Sequence, residues 1–175
     1  IVPCDAPILR VSVIGLAGVG KRSLLLPFVQ ARIAWGQQQV LSAKISPVNT
    51  SAAANTILVP YNTPIRIPLL TNRNIWALFD VTIHKSGGGP QPWRLHNPRP
   101  CVEGGDQALV EAQPDAVFAV FSVVDKDSYT ALPSFYEEVI SAEEKLNALQ
   151  KTAYPSGGER MKIPVVLVGN GVDTP

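Results

Sequence analysis

At 175 residues the chain has the length of one domain with a sizeable core. Hydrophobic residues make up 46% and charged residues 17%, which excludes disorder over most of the chain. The 15 basic and 14 acidic side chains leave a net charge of +1, which excludes a nucleic-acid coat. No apolar run reaches the ~18 residues that a membrane span needs. The near-neutral total hides a polarity: residues 1–100 carry 10 basic and 2 acidic side chains, residues 101–175 carry 5 and 12. A basic site for an anionic ligand is compatible with that distribution, and so is clustering on solvated faces. Cys4 and Cys101 are too few for a disulfide framework or a four-ligand zinc site and read as thiols. The chain opens at Ile1 with no basic-then-apolar leader, so no signal peptide is visible, and it reads as part of a longer protein.

Leu9–Gly15 (LRVSVIG) reads as a short buried strand, and Lys21–Trp35 as a helix with Leu24, Leu25, Phe28, Val29 and Ile33 inward. Pro27 either kinks that helix or is tolerated near its start. Residues 42–57 are small and polar, a loop by composition. Arg66–Leu70 and Ile75–Ile83, split at Thr71–Asn74, read as a β-hairpin. Residues 84–106 hold five Gly and four Pro in 23 positions, a density at which no helix or strand is expected. Ala116–Val124 (AVFAVFSVV) has the continuous apolar run of a strand covered on both faces. A helix capped by Asp127 or Ser128 follows, with Tyr129, Phe135 and Tyr136 as core and Pro133 in its early turns. Ile163–Gly169 (IPVVLVG) is a further buried strand. This alternation predicts an α/β fold with a mostly parallel central sheet.

The chemistry-bearing stretch is Gly15-Leu-Ala17-Gly18-Val19-Gly20-Lys21, placed between an apolar strand and an amphipathic helix. G-x-x-x-x-G-K in that context is a phosphate-binding loop: the glycines turn successive N–H groups inward, and the lysine reaches the terminal phosphates. The following position should be Ser or Thr, whose hydroxyl holds Mg2+, and here it is Arg22. Ser23 is the alternative metal hydroxyl, one residue late.

The stretch ILRVSVIGLAGVGKRSLLLPFV resembles the opening strand, phosphate loop and first helix of Ras-superfamily small GTPases. Ile75-Trp-Ala-Leu-Phe-Asp80 resembles the strand that ends in the family's magnesium-linked aspartate. Asp115–Val124, followed by Asp127-Ser-Tyr129 and Leu132, resembles the fourth strand and the opening of the next helix. Ile163–Gly169 with Asn170-Gly-Val-Asp173 resembles the strand and the Asn-Lys-x-Asp guanine motif, with Gly171 in place of the lysine. The resemblance implies a P-loop NTPase G-domain: a three-layer sandwich with a mostly parallel sheet and one antiparallel edge hairpin. It spans 1–175 as a single domain incomplete after the guanine motif, with loop insertions at 42–57 and 84–106 in the switch regions.

The resemblance assigns the nucleotide to Gly15, Ala17, Gly18, Val19, Gly20, Lys21, Arg22, Ser23, Asn170 and Asp173. Asp173 accepts from guanine N1 and N2, Asn170 braces the pocket, and Ser23 and Asp80 are the metal candidates. Asp80-Val-Thr-Ile83 stands where Asp-x-x-Gly is expected and lacks its glycine; His84 stands where a water-orienting glutamine is expected, as the catalytic candidate or as a solvated loop histidine. The switch threonine is Thr50, Thr56 or Thr63. The expected cofactors are GTP or GDP, with Mg2+ held weakly because Arg22 is a fixed cation. The expected function is a guanine-nucleotide switch in signalling or trafficking with weak hydrolysis; the alternative is a pseudo-GTPase scaffold with little or no turnover. An ATP-using P-loop enzyme is disfavoured by Asp173. Expected partners are protein effectors or regulators at the switch loops, with no nucleic acid and no transmembrane segment. A cytoplasmic location is expected, with peripheral membrane association through regions outside 1–175. Trp93 and Arg94 read as a partner anchor or as loop residues, and His96 has no companion at ligand spacing.

Overall fold

The computed structural model describes residues 6–27, 60–70, 76–87, 100–153 and 162–171. In chain order these form β1 (Ile8–Ile14), α1 (21–27), β2 (Pro64–Leu70), β3 (Trp76–Ile83), β4 (Ser86–Gly87) and β5 (Cys101–Val102). There follow α2 (Asp106–Ala112), β6 (Ala116–Ser122), α3 (Lys126–Thr130), α4 (Leu132–Ala153) and β7 (Val165–Asn170). Five strands make one sheet in the order β2-β3-β1-β6-β7. Its β1–β3, β1–β6 and β6–β7 pairs are parallel, and β2 runs antiparallel on the edge. The fold is therefore α/β with a mostly parallel sheet and an antiparallel edge pair.

Strand periodicity explains how the sheet is covered. Val11 and Val13 of β1 share a face with Val81, Ile83 and Val120 and pack with Leu25 of α1. Ile14, Val117 and Ala119 face the other way and pack with Leu109 of α2 and Phe135, Val139 and Ala142 of α4. A polar column interrupts the second face: the register sets Arg10 beside Asp80 and Ser12 beside Thr82.

Several details differ from the sequence reading. The helix expected from Asp127 onward is two, because Pro133 has no N–H to bond back to Tyr129, and Asp125, not Asp127 or Ser128, caps the first. Its side chain accepts from the Asp127 N–H at 3.0 Å. Phe135 is core, whereas Tyr129 and Tyr136 are 58% and 53% exposed. Tyr129 instead meets Phe121 edge-on, with ring centroids 5.5 Å apart. The Gly/Pro-rich stretch 84–106 is not all loop, since its ends pair as β4 and β5, with Ser86 opposite Val102. The Val102 N–H donates to Glu138 of α4 at 2.9 Å, which ties this ribbon to the domain. Helix α2 answers to no expected element; its first residue, Asp106, is held by Lys145 at 2.7 Å and by Ser141. The expected insertion at 42–57, and the residues Cys4, Phe28, Val29, Ile33, Thr50, Thr56, Trp93, Arg94, His96 and Asp173, lie outside the described residues.

Candidate functional site

The loop at 15–20 leaves β1 at the centre of the sheet and turns directly into α1. Two of its glycines are required by close approach as well as by conformation. Gly15 (φ 139°) presses on β6 so tightly that a Cβ would overlap the Val120 carbonyl. Gly20 (φ 82°) lies against Asn170, and a Cβ there would overlap the Asn170 amide nitrogen. Left-handed backbone at Gly18 and Gly20, with Val19 ordinary between them, is the alternation that turns successive N–H groups to one side. Ala17 and Gly18 are exposed on this loop, while Val19 is anchored in the core.

The loop is tied at both flanks. Asn170 ends β7, and its Nδ2 donates to the Val19 carbonyl at 2.9 Å, a bond between residues 151 positions apart. Lys21 is folded inward and only 3% exposed. Its ammonium donates to the Gly15 carbonyl at 2.5 Å, the Leu16 carbonyl at 2.7 Å and Ser86 Oγ at 3.1 Å. The Ser86 hydroxyl in turn donates to the Gly15 carbonyl at 2.7 Å. Burial lowers the Lys21 pKa from 10.5 to about 8, so the amine remains mostly charged at neutral pH. A buried ammonium held by carbonyl dipoles beside a glycine loop is a ready counter-charge for an anion.

His84 is the first residue beyond β3. Its N–H donates to the Val13 carbonyl at 2.9 Å, and its Nε2 shares a proton with Ser12 Oγ at 2.9 Å. It is buried, not the solvated loop histidine that the sequence allows. Burial, and then the neighbouring Lys21 charge, lower its pKa to about 4, so the ring is neutral at physiological pH. Nδ1 is buried with no partner among the described residues. A cavity of about 510 Å3 borders His84, Ser12, Thr82 and Asp80 on one side and Gln107 and Glu111 of α2 on the other.

The other expected site residues disperse. Asp80 does not end its strand: β3 runs on to Ile83, and the register puts Asp80 level with Arg10. Arg10 precedes the loop by five residues, or about 16 Å of strand. The Asp80 carboxylate is forked by Arg66 of β2, Nε to Oδ1 and Nη2 to Oδ2, both at 2.7 Å. The segment that actually leaves β3 beside Lys21 is His84-Lys85-Ser86-Gly87, which has the Asp-x-x-Gly spacing with histidine in the acidic place. Arg22 and Ser23 are exposed on α1, and the Arg22 guanidinium lies 3.9 Å from the centre of the Tyr61 ring. Thr63 precedes β2 and its hydroxyl donates to the Tyr61 carbonyl at 3.3 Å.

Ser86 is the residue that sequence reasoning missed. The strand read from the sequence to Ile83 already carried the signal, because it puts the residues that leave β3 at 84–87 rather than at Asp80. The donor set does not fit Mg2+, which needs carboxylate or hydroxyl oxygens in an octahedral shell. Beside Lys21 the Ser86 hydroxyl is already engaged by the ammonium and the Gly15 carbonyl and His84 is a neutral imidazole, and no group of three His, Cys, Asp or Glu able to hold a metal occurs among the described residues. In comparisons with known proteins, no family model matches the chain and no curated protein is significantly similar to it. Among the described residues no helix is long and apolar enough to cross a membrane.

Proposed function

We propose that the chain is a guanine-nucleotide-binding P-loop domain, built as a G-domain sandwich like the Ras-superfamily small GTPases that its sequence resembles. The observation that carries this reading is the Asn170–Val19 bond, which ties the end of β7, where the guanine motif begins, to the glycine loop that surrounds Lys21. Base and phosphates of one nucleotide would lie on either side of that tie. Lys21 and the loop N–H groups meet the phosphates, and Asp173 selects guanine through two accepted hydrogen bonds that adenine cannot supply. Effector or regulator proteins would read the bound state through the switch loops, with the domain on the cytoplasmic side.

For turnover, a specific observation favours the pseudo-GTPase reading over the slow switch. In-line attack needs a residue that orients water at the γ-phosphate. His84, the residue offered for that task, is 3% exposed and its ring is held by Ser12. The domain then binds nucleotide and presents a nucleotide-dependent surface with little hydrolysis. Calorimetric titration with GDP and ADP tests the assignment. A preference for guanine of about tenfold or more is expected, the factor that one net hydrogen bond supplies. Equal affinities would remove the guanine assignment, and heat from neither would leave a scaffold without a ligand.

A further inference from the structure

The geometry points to a phosphate site that takes its polyphosphate anion without a divalent cation, with protein charge standing in for the metal. The inference rests on the nucleotide-binding reading above and deepens it. In the pattern that the chain resembles, the charges around the phosphates are a lysine (+1), a magnesium ion (+2) and the aspartate that holds it through water (−1), for a total of +2. Here the corresponding charges are Lys21 (+1), Arg22 (+1) and neutral His84 (0), and the total is again +2. Two replacements that each remove a metal contact therefore restore the charge balance when taken together. Either one alone would not.

The local chemistry agrees with this exchange. Arg22 is the residue after Lys21, and its guanidinium carbon lies 3.9 Å from the centre of the Tyr61 ring, at cation–π distance. A cation–π contact with a ring leaves guanidinium N–H donors free to bond an anion. Tyr61 thereby fixes the orientation of a side chain that would otherwise lose much rotamer entropy on binding. His84, bonded to Ser12 and to the Val13 carbonyl, is a neutral ring and offers no carboxylate beside Lys21 that would attract a metal ion. The carboxylate that the sequence offers instead, Asp80, is already forked by Arg66. The nearby Lys85 and Glu103 pair with each other at 3.2 Å and add no net charge.

The test is equilibrium binding of a fluorescent guanosine diphosphate to the purified protein, once in excess EDTA and once in millimolar Mg2+. Affinities equal to within about threefold are expected, whereas a site that routes its charge balance through the metal loses about 100-fold or more in EDTA. That larger loss would overturn the inference and leave the nucleotide reading standing. No binding under either condition would overturn both. Arg22→Ser, at an exposed position that tolerates the change, should weaken binding in EDTA by about tenfold and make Mg2+ stimulatory. Unchanged binding in that variant would remove Arg22 from the site and overturn the charge exchange.

Discussion

Replacing Lys21 by methionine should abolish phosphate binding and at the same time remove a pH-dependent cost from the folded protein. The drop of the lysine from 10.5 to about 8 reports what burial costs the charged form. At ~1.4 kcal/mol per pH unit its ceiling is about 3 kcal/mol. The carbonyls of Gly15 and Leu16 accept from the ammonium at 2.5 and 2.7 Å and offset part of this, so about 1–2 kcal/mol should remain. Methionine keeps the length and apolar stem but leaves the Leu16 carbonyl without that donor, which costs about 1 kcal/mol. The two single-pH stabilities are therefore close, and the pH dependence is what discriminates. Above pH 8 the native lysine sheds its proton, while the unfolded lysine keeps its own up to 10.5. The unfolded state then binds more protons, so wild-type stability rises with pH, and the methionine variant lacks that rise. Urea unfolding of both proteins from about pH 7 to about pH 9.5 should show the wild type gaining about 1–2 kcal/mol on the variant. A difference that stays flat across that range would mean that the lysine is solvated and that the folded-in geometry is wrong.

His84→Gln tests the neutral ring. Below 6.5 an unfolded histidine takes up a proton that the native one refuses down to about 4, so wild-type stability falls through that window. The loss should approach about 3 kcal/mol in urea midpoints and be missing from the glutamine variant. Gly15→Ala drives a methyl group into the Val120 carbonyl at φ 139°, and a loss of about 2–4 kcal/mol, read as a drop in Tm, is expected. Asp80→Asn breaks the Arg66 fork at the surface, where Arg66 is 51% exposed, so stability should change by no more than about 1 kcal/mol. Nucleotide affinity should not change in that variant, and a metal-dependent loss measured by calorimetry would return Asp80 to the site.

The parts of the fold legible in the sequence are those in which local pattern and tertiary environment agree. The apolar runs at β1 and β6 fill central positions, so a continuous hydrophobic stretch and a covered parallel strand coincide there, although β6 stops at Ser122 and leaves Val123 and Val124 exposed. The expectation of a further buried strand at Ile163–Gly169 is corrected: β7 lies at the edge of the sheet among the described residues, with Val166 and Leu167 exposed, because an apolar run does not show how many strands flank it. The antiparallel β2–β3 pair joins strands that are neighbours in sequence, and strand-forming residues on both sides mark it. Helix α2 was not legible because its seven residues carry two buried side chains, Leu109 and Val110, and its position depends on Lys145 and Ser141 far along the chain. Tyr129 and Tyr136 share the helical spacing of Phe135, yet they are largely exposed. Periodicity finds a face of a helix; it does not decide how much of that face the sheet covers.

The residue pattern carries β3 to Ile83, as observed, whereas the resemblance sets Asp80 at the strand end, and the candidate site turns on that difference. In the resemblance, Asp80 ends the strand as the expected metal-linked aspartate, Ile83 stands where a glycine is expected and His84 follows in a loop. With β3 ending at Ile83, as observed, the residues that leave the strand beside Lys21 are His84 to Gly87, and Ser86 contacts both Lys21 and Gly15. With β3 running to Ile83, Asp80, Thr82 and His84 lie on one face of the strand, beside Arg10 and Ser12 of β1. An apolar helix could not bury that polar column, which accounts for the cavity between it and the polar side of α2. Fork, cavity and neutral histidine thus have one cause: polar residues at alternating positions of a strand whose opposite face, Val81 and Ile83, is fully committed to the core. The unpartnered Nδ1 of His84 follows from the same arrangement, because Ser12 is the hydroxyl that this column brings to the ring and it engages only one of the two nitrogens.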